Sequence, residues 1–475
     1  MRETRQVATT RMLCCAGAWV VLIANPVFAR QDSTGLSGTL GINQITDGKV
    51  TAAISFLASD ELAGRATASP EFNIAAAFVA SRFRGAGLTG GALDGSFFHE
   101  TTKKMIRMPN QNIAITTSDG SPIASYGLLG AMDVSTSYDG QVTPVDLDKE
   151  ISTDGLTGVV AGLFPMDSRG QRSLAKIVRM TKLLKDAGAT ALLLGVSDDS
   201  ELIQLAHQAR EKAVLEPKNR YAIPVLLVPN TVTKTPTAKF EIPATVTSEL
   251  PMRNVIGMIQ GTDPELSKEA ILFSAHLDHL GSKEDAVDGI YNGADDDATG
   301  VTAVILLADA FSAIPKPKRT ILFMTFWGEE SGLLGSKQFV ATPSWPLNKI
   351  VANINIEMLG RPEPGANGKI WMTGWQESDL GVIMNNASKT KGVEIFEHPT
   401  HSSRLYRSSD NWSFAEKGLI AHSFSGGSLH ADYHQPDDEW DRLDIPHMTR
   451  VIQGLFVASQ PLAQGTVTPQ ASLRN

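Results

Sequence analysis

An α/β fold with parallel strands covered on both faces is the architecture this sequence predicts, and two observations predict it. From residue 270 onward the chain repeats strand, loop and helix, and the strand segments Ile271–Ala275, Thr320–Phe326 and Val351–Ile356 are continuous apolar runs. A strand with one wet face alternates apolar and polar residues, whereas continuous runs suit strands buried on both faces. A covering element is also legible: Val301–Ile314 reads as a long apolar helix closed by PKPKR.

The N-terminus has a different character. Arg2, Arg5 and Arg11 flank a mostly apolar stretch from Met12 to Ile23, and Val27-Phe28-Ala29 offers a small residue at a cleavage position. This is the pattern of a secretory signal peptide, residues 1–29, cut after Ala29. Its apolar part is shorter than the ~20 residues of a membrane span. Export to the periplasm or the medium is expected, with no membrane attachment after cleavage. Both cysteines, Cys14 and Cys15, belong to this segment. The mature chain therefore has no disulfide, and a metal site in it must use His and carboxylates. The whole chain of 475 residues carries a net charge of −9; losing three Arg and one Glu with residues 1–29 takes it to −11. That balance, without a basic stripe, excludes nucleic acid as a partner.

The remaining elements follow in order. Residues 30–45, rich in Gly, Ser and Thr, read as a flexible leader. Residues 46–114 form a first part of the main domain. There Val50–Ala58 is an apolar run, and Pro70 starts a helix whose apolar side is Phe72, Ile74, Ala77, Phe78, Val79 and Phe83, ended by Gly85 and Gly87. Residues 115–250 change style and hold few candidate ligands, so they read as an inserted domain. Its strands are expected at Gly158–Phe164, Ala191–Gly195 and Ile223–Val228, with a helix at Leu174–Asp186 stopped by Gly188. Residues 251–465 complete the main domain, and 466–475 are a tail.

In that last part five metal-binding side chains sit at or just beyond apolar runs: His276, Asp296, Glu330, Glu357 and His434. In open α/β sheets the active site lies outside the carboxyl ends of the strands. Zinc in a catalytic site takes three protein ligands and keeps one position for water. Five residues serve two ions if one carboxylate bridges, and Asp296 in GADDDATG, between Gly293 and Gly300, suits that role. Asp278, two residues after His276, is placed to accept the second imidazole N–H and fix its tautomer. Glu329 stands beside a ligand and is free to take a proton from metal-activated water and pass it to a leaving amine. The set points to a metal-assisted hydrolase.

AHLDHLG, NGADDDATG, FWGEESGLLGS, NIEMLG and YHQPDDEWDRLD, in this order, resemble the M28 family of metallopeptidases, and ISFLASDELAGRATASPE resembles the start of the same catalytic domain. The resemblance implies an α/β fold with a mixed, mostly parallel central sheet sandwiched by helices. It implies that residues 115–250 are an α+β, protease-associated-like insertion. It also implies two zinc ions, one held by His276 and Glu357, the other by Glu330 and His434, with Asp296 bridging. Glu329 would be the base, Asp278 a supporting group, and Tyr433 a group that steadies the oxyanion. The position of Glu357 is more often Asp in the family, which touches the place where a substrate amine is expected.

Removal of N-terminal residues from peptides is the favoured activity. Three other readings stay open: a carboxypeptidase of the same family, for which Arg404 or Arg407 would supply the cation, a glutaminyl cyclase-like transferase, and a non-catalytic receptor-like protein. His430 competes with His434 for the last ligand position, and YHQPDD favours His434. His279 reads as a group behind the ligands, Asp295 and Asp297 as hydrogen-bonding or capping residues, and Trp327 and Met358 as core. Ser409-Asp410-Asn411 suit either the pocket or a surface loop.

Overall fold

A computed structural model of the chain describes residues 39–472 apart from 108–112, 130–134, 150–155, 166–172, 198–199, 201, 204–213, 216–220, 245, 284–287 and 428. The proposed signal peptide and most of the proposed leader lie outside the described residues.

The main sheet runs, from one edge, through Glu394–Phe396, Lys369–Met372, Ala421–Ser425, Ile350–Glu357, Ala270–His276, Thr320–Phe326, Val246–Ile259, Phe98–Arg107 and Val214–Leu215. Its centre is parallel, from Ala421–Ser425 across to Thr320–Phe326. Both neighbours of this block, Lys369–Met372 on one side and Val246–Ile259 on the other, pair antiparallel. The sheet is therefore mixed, with a parallel heart.

Period-two alternation explains the continuous apolar runs. Ile271, Phe273 and Ala275 point into one core with Ile321, Phe323, Ala352 and Ile354, covered by the helices Asp47–Leu57, Pro70–Gly85, Thr299–Ser312 and Ile445–Ala463. Ala270, Leu272, Leu322 and Met324 point the other way, against Phe339 and Phe414 of the helices Leu334–Ala341 and Asn411–Ala415. The polar residues Ser274, Asn353 and Asn355 on these strands are buried too, and they are joined by hydrogen bonds among themselves and with Ser423.

Three expectations change. In the helix Pro70–Gly85 the buried stripe is Phe72, Ala75, Ala76, Val79, Ala80 and Phe83, while Ile74 is 51% exposed and Ala77 is also exposed. Small alanines let this helix lie close to its neighbours, and a reading weighted toward large side chains misplaced the face. Ile45, inside the stretch read as leader, is fully buried in the main core. The tail is docked: Arg319 donates to Val467 O and Thr468 Oγ1, and Gln470 N donates to Asp379.

The region 115–250 contains an eight-stranded sheet that includes Thr237–Ile242, Thr136–Pro144, Gly158–Leu163, Ala189–Val196 and Val225–Pro229, with the helix Leu174–Asp186 packed on one face through Ile177, Met180 and Leu184. Its C-terminal end falls short of the expected residue 250, because the main-sheet strand already starts at Val246. Phe98–Arg107 and Val246–Ile259 belong to the main sheet and pair antiparallel from Phe98↔Val255 to Arg107↔Val246. The chain leaves the main sheet at Arg107 and rejoins it opposite at Val246, but Val214–Leu215, inside the region read as an insertion, also pairs with that sheet through Met105 and Ile106.

Candidate metal centre

The four adjacent parallel strands deliver their carboxyl ends to one place. His276 is the last residue of Ala270–His276 and Glu357 the last of Ile350–Glu357. Glu329 and Glu330 follow Thr320–Phe326 after Gly328, whose φ of 69° turns the chain. Asp296 precedes the helix Thr299–Ser312, and His434 comes from the loop after Ala421–Ser425.

These side chains converge. His276 Nε2 is 3.0 Å from Asp296 Oδ1 and 3.9 Å from Glu357 Oε1. His434 Nε2 is 3.0 Å from Asp296 Oδ2 and 3.4 Å from Glu330 Oε2. Asp296 thus stands between two His–Glu pairs and faces each with a different oxygen. His279 is nearer than expected. Its Nδ1 lies 2.8 Å from Glu330 Oε1, and one donor atom each from His279, Asp296 and Glu330 fall within 4.8 Å of one another.

The donors fit a metal. His279 Nδ1, Glu330 Oε1 and His434 Nε2 are buried atoms with no hydrogen-bond partner in spite of their proximity. Buried polar atoms are normally paired, and imidazole nitrogens and carboxylate oxygens aimed at a common point are what zinc takes.

The electrostatics agree with a site built for positive charge. Burial alone would raise Glu330, but the His279 and His434 contacts hold it down at about 2. Burial works against a charged His434, yet Asp296 and Glu330 lift it to about 10. Glu357 is pushed up to about 7, first by burial, with the Ser409 hydrogen bond pulling it back. Burial also pushes Glu329 well above the usual carboxylate range, with Asp410, Glu357 and Glu330 adding to the effect. A group raised in this way is suited to holding a proton during turnover.

The supporting residues differ in part from expectation. Asp278 does not hold the His276 imidazole through its carboxylate. His276 Nδ1 contacts the Asp278 backbone oxygen at 2.9 Å, and the carboxylate is 4.0 Å away. That carboxylate instead accepts from Thr67 Oγ1 at 2.5 Å and from Glu329 N at 3.1 Å, so it fixes the backbone under the candidate base. Asp297 caps the following helix through Gly300 N and also accepts from Met358 N and His276 N. His430 is turned away, with Nε2 3.3 Å from Asp295 Oδ2. Of Ser409-Asp410-Asn411, all are buried; Ser409 donates to Glu357 Oε1, and Asp410 accepts from Ser336.

Sequence reasoning missed Asp438 and Arg65. Asp438 is fully buried and accepts from Asp295 N and Asp296 N, holding the GADDDATG turn. Arg65 is 1% exposed, with its donors on backbone carbonyls. Burial lowers it to about 10, against the pull of Asp278, Asp297, Asp438 and Asp296, so it stays charged at neutral pH. The only signal for either was its place in a motif.

A cavity of about 200 Å³ opens beside the donors, and its lining includes His276, Asp296, Glu329 and Glu357 together with Met358, Trp371, Leu405, Leu429 and Tyr433. Met358, expected as core, lines this cavity with φ 50°, and His434 has φ 57°. Left-handed backbone at non-glycine residues is costly and gathers at functional sites. Trp327 is core, as expected. Tyr433 stacks on His434 with ring centroids 3.9 Å apart. Arg404 and Arg407 are exposed and do not line the cavity; Arg407 lies over Trp412.

A second group, Glu363, His398 and His401, brings three donor atoms within 4.8 Å. His398 Nδ1 accepts from Thr400 N and His401 N. Its proton is therefore on Nε2, the atom 3.4 Å from Glu363, which removes the lone pair a metal needs.

Comparison with known proteins is consistent with this geometry. The model for "Peptidase family M28" matches residues 254–458. A vacuolar membrane protease of Clavispora lusitaniae is 31% identical over 201 residues, 42% of this chain and 18% of that protein. A probable zinc metalloprotease of Pyrenophora teres f. teres is 36% identical over 107 residues, 22% of each chain. The match thus spans about a fifth of the length of these curated relatives. Among solved structures, an aminopeptidase from Aneurinibacillus sp. strain AM-1 superposes with a TM-score of 0.55 at 18% identity, over 90% of this chain and 96% of that one. A zinc aminopeptidase from Bacillus subtilis gives 0.53 at 17%, over 88% and 95%. At such identity the likeness is one of fold. The family match covers the stretch that supplies every converging donor, and residues 254–458 of this chain carry a peptidase family M28 domain.

Proposed function

We propose that this metallopeptidase is an exported two-zinc aminopeptidase. His276 and Glu357 would hold one ion, Glu330 and His434 the other, and Asp296 would bridge them. Bound zinc would polarise the scissile carbonyl and acidify a water. Glu329, buried beside these donors and raised in pKa, takes the proton of the attacking water and delivers it to the leaving amine. Tyr433, which lines the cavity, would donate a hydrogen bond to the developing oxyanion.

The observation that carries the direction of attack is the charge of the cavity wall. Asp296 and Glu357 on this wall give their charge to the ions, and among the described lining residues there is no Lys or Arg. Such a wall offers no side-chain cation to a C-terminal carboxylate, which favours attack at a free N-terminus. The apolar lining residues Met358, Trp371, Leu405 and Leu429 suit an apolar first side chain. At about 200 Å³ the cavity is below the ~300–1,000 Å³ of larger ligand sites and takes one residue rather than several. The five-donor set argues against the cyclase-like and receptor-like readings.

The first segment is proposed to act as a signal peptide and the insertion as a protease-associated-like domain. Among the described residues no helix is long and apolar enough to cross a membrane. Mass spectrometry of digestion products tests the main reading. Peptides shortened from a free N-terminus, with the N-acetylated peptide cleaved at least about 100-fold more slowly, are expected. A ladder shortened from the C-terminus would move the assignment to a carboxypeptidase.

A further inference from the structure

Arg65 spends a buried guanidinium on backbone alone. Nε donates to Leu277 O at 3.0 Å, Nη1 to Asn292 O at 2.7 Å and to Leu57 O, and Nη2 to Gly293 O at 3.0 Å. These carbonyls belong to three segments more than 200 residues apart at the extremes. Leu277 directly follows His276, and Gly293 lies three residues before Asp296. A buried cation is costly unless its donors are satisfied. Here they are, by the last carbonyl of the helix Asp47–Leu57 and by carbonyls of the two loops that present candidate metal donors, rather than by the carboxylates nearby.

The rest of the segment is stitched to the same loops. Arg65 O accepts from His279 N, and Ala66 bridges to His279. Thr67 Oγ1 donates to Asp278. Gly64, with φ 68°, lies so close to the loops that a Cβ would come within 2.3 Å of Tyr291 O and 2.5 Å of Gly281 O. Arg65 itself has φ 48°, an unfavourable conformation for a non-glycine residue.

We propose that Arg65 is a positioning residue for the metal centre, clamping the His276 loop to the Asp296 loop so that their donors stand at binding distance before metal arrives. The clamp rests on the reading that these donors hold zinc. It requires arginine. A planar fork with five donors reaches carbonyls in several directions at once, whereas a lysine has three donors on one atom. Preorganised donors bind metal more tightly because less conformational freedom is lost on binding.

The test uses the full chain with Arg65→Lys, which keeps the charge and loses the fork, and Thr67→Val, a milder lesion in the same segment. Circular dichroism of the metal-free proteins reports folding, a chelator-competition titration reports zinc affinity, and the visible spectrum of the cobalt(II) form reports donor geometry. Arg65→Lys is expected to fold and to bind zinc about 10–100-fold more weakly, with an altered cobalt spectrum. Thr67→Val should shift affinity in the same direction by less. A role confined to general stability would lower the melting temperature and leave affinity and spectrum unchanged, so a folded Arg65→Lys protein that binds zinc like the wild type overturns the proposal. If Arg65→Lys does not fold, unchanged zinc affinity in Thr67→Val overturns it. Wild-type protein that binds no zinc would instead sink the metal reading itself, and this inference with it.

Discussion

The Ser409 hydroxyl donates to Glu357 Oε1 while accepting from Asn355 Nδ2 and Asp410 N. With two donors already pointing at its oxygen, the hydroxyl has one free direction for its own hydrogen, and the carboxylate lies there. Ser409→Ala frees the Glu357 head. Zinc affinity at the His276 side is expected to fall about 10–100-fold, measured by competition titration. Affinity equal to the wild type would show that Glu357 needs no such support.

Glu329→Gln keeps size and leaves the five candidate ligands intact. Turnover should drop by roughly 10²–10⁴ with metal content unchanged. Glu330→Gln should lose metal instead, because its oxygens face His279 and His434. Metal analysis alongside kcat separates the two, and the reverse pattern would exchange their roles.

His434→Ala should lose metal and most activity. His430→Ala should keep both and lower the melting temperature, since His430 contacts Asp295 rather than the converging donors. Equal metal loss in the two variants would contradict this geometry.

Removing metal should make stability fall with rising pH. In the metal-free protein burial pushes Glu357 and Asp410 to about 7 and Asp438 to about 6, above their ordinary values of 4.5 and 3.8. A group raised on folding contributes stability that is complete below its unfolded pKa and is lost as pH rises through the folded one. The loss should therefore run from about pH 4 to about pH 7. Metal binding needs deprotonated ligands and should offset it. Melting curves of chelated and zinc-loaded protein at pH 5 and pH 8 check this: only the chelated sample should melt markedly lower at pH 8.

Arg404→Ala and Arg407→Ala should leave kcat/KM for peptides within about twofold, as exposed residues away from the cavity wall do. A tenfold loss would revive the carboxypeptidase reading.

Much of the centre was legible because its donors sit where the chain must change character. His276 and Glu357 end apolar strands, and Gly328 and Gly293 turn the backbone beside Glu329 and Asp296. Local pattern marks such junctions. What stayed hidden acts across the chain: Arg65 meets Leu277 from 212 residues away, and Asp438 meets Asp295 from 143. Neither has a periodicity or a spacing that announces its partner. The same limit explains Asp278, whose nearness to His276 in sequence suggested a side-chain contact that Thr67 and the Glu329 backbone claim instead. It also explains Met358, an apolar residue whose placement on a cavity wall depends on what stands opposite.

The ribbon of Phe98–Arg107 with Val246–Ile259 has a consequence for how the molecule forms. Bringing Arg107 opposite Val246 through a featureless chain would mean closing a loop of well over a hundred residues, an entropic penalty that grows with the logarithm of length. Were the eight-stranded sheet between them to fold first, it would hold Arg107 and Val246 near each other and shorten the loop that the main sheet has to close. On that order of assembly, pulse-labelled hydrogen exchange should find Ala189–Val196 protected before Val246–Ile259 pairs with Phe98–Arg107.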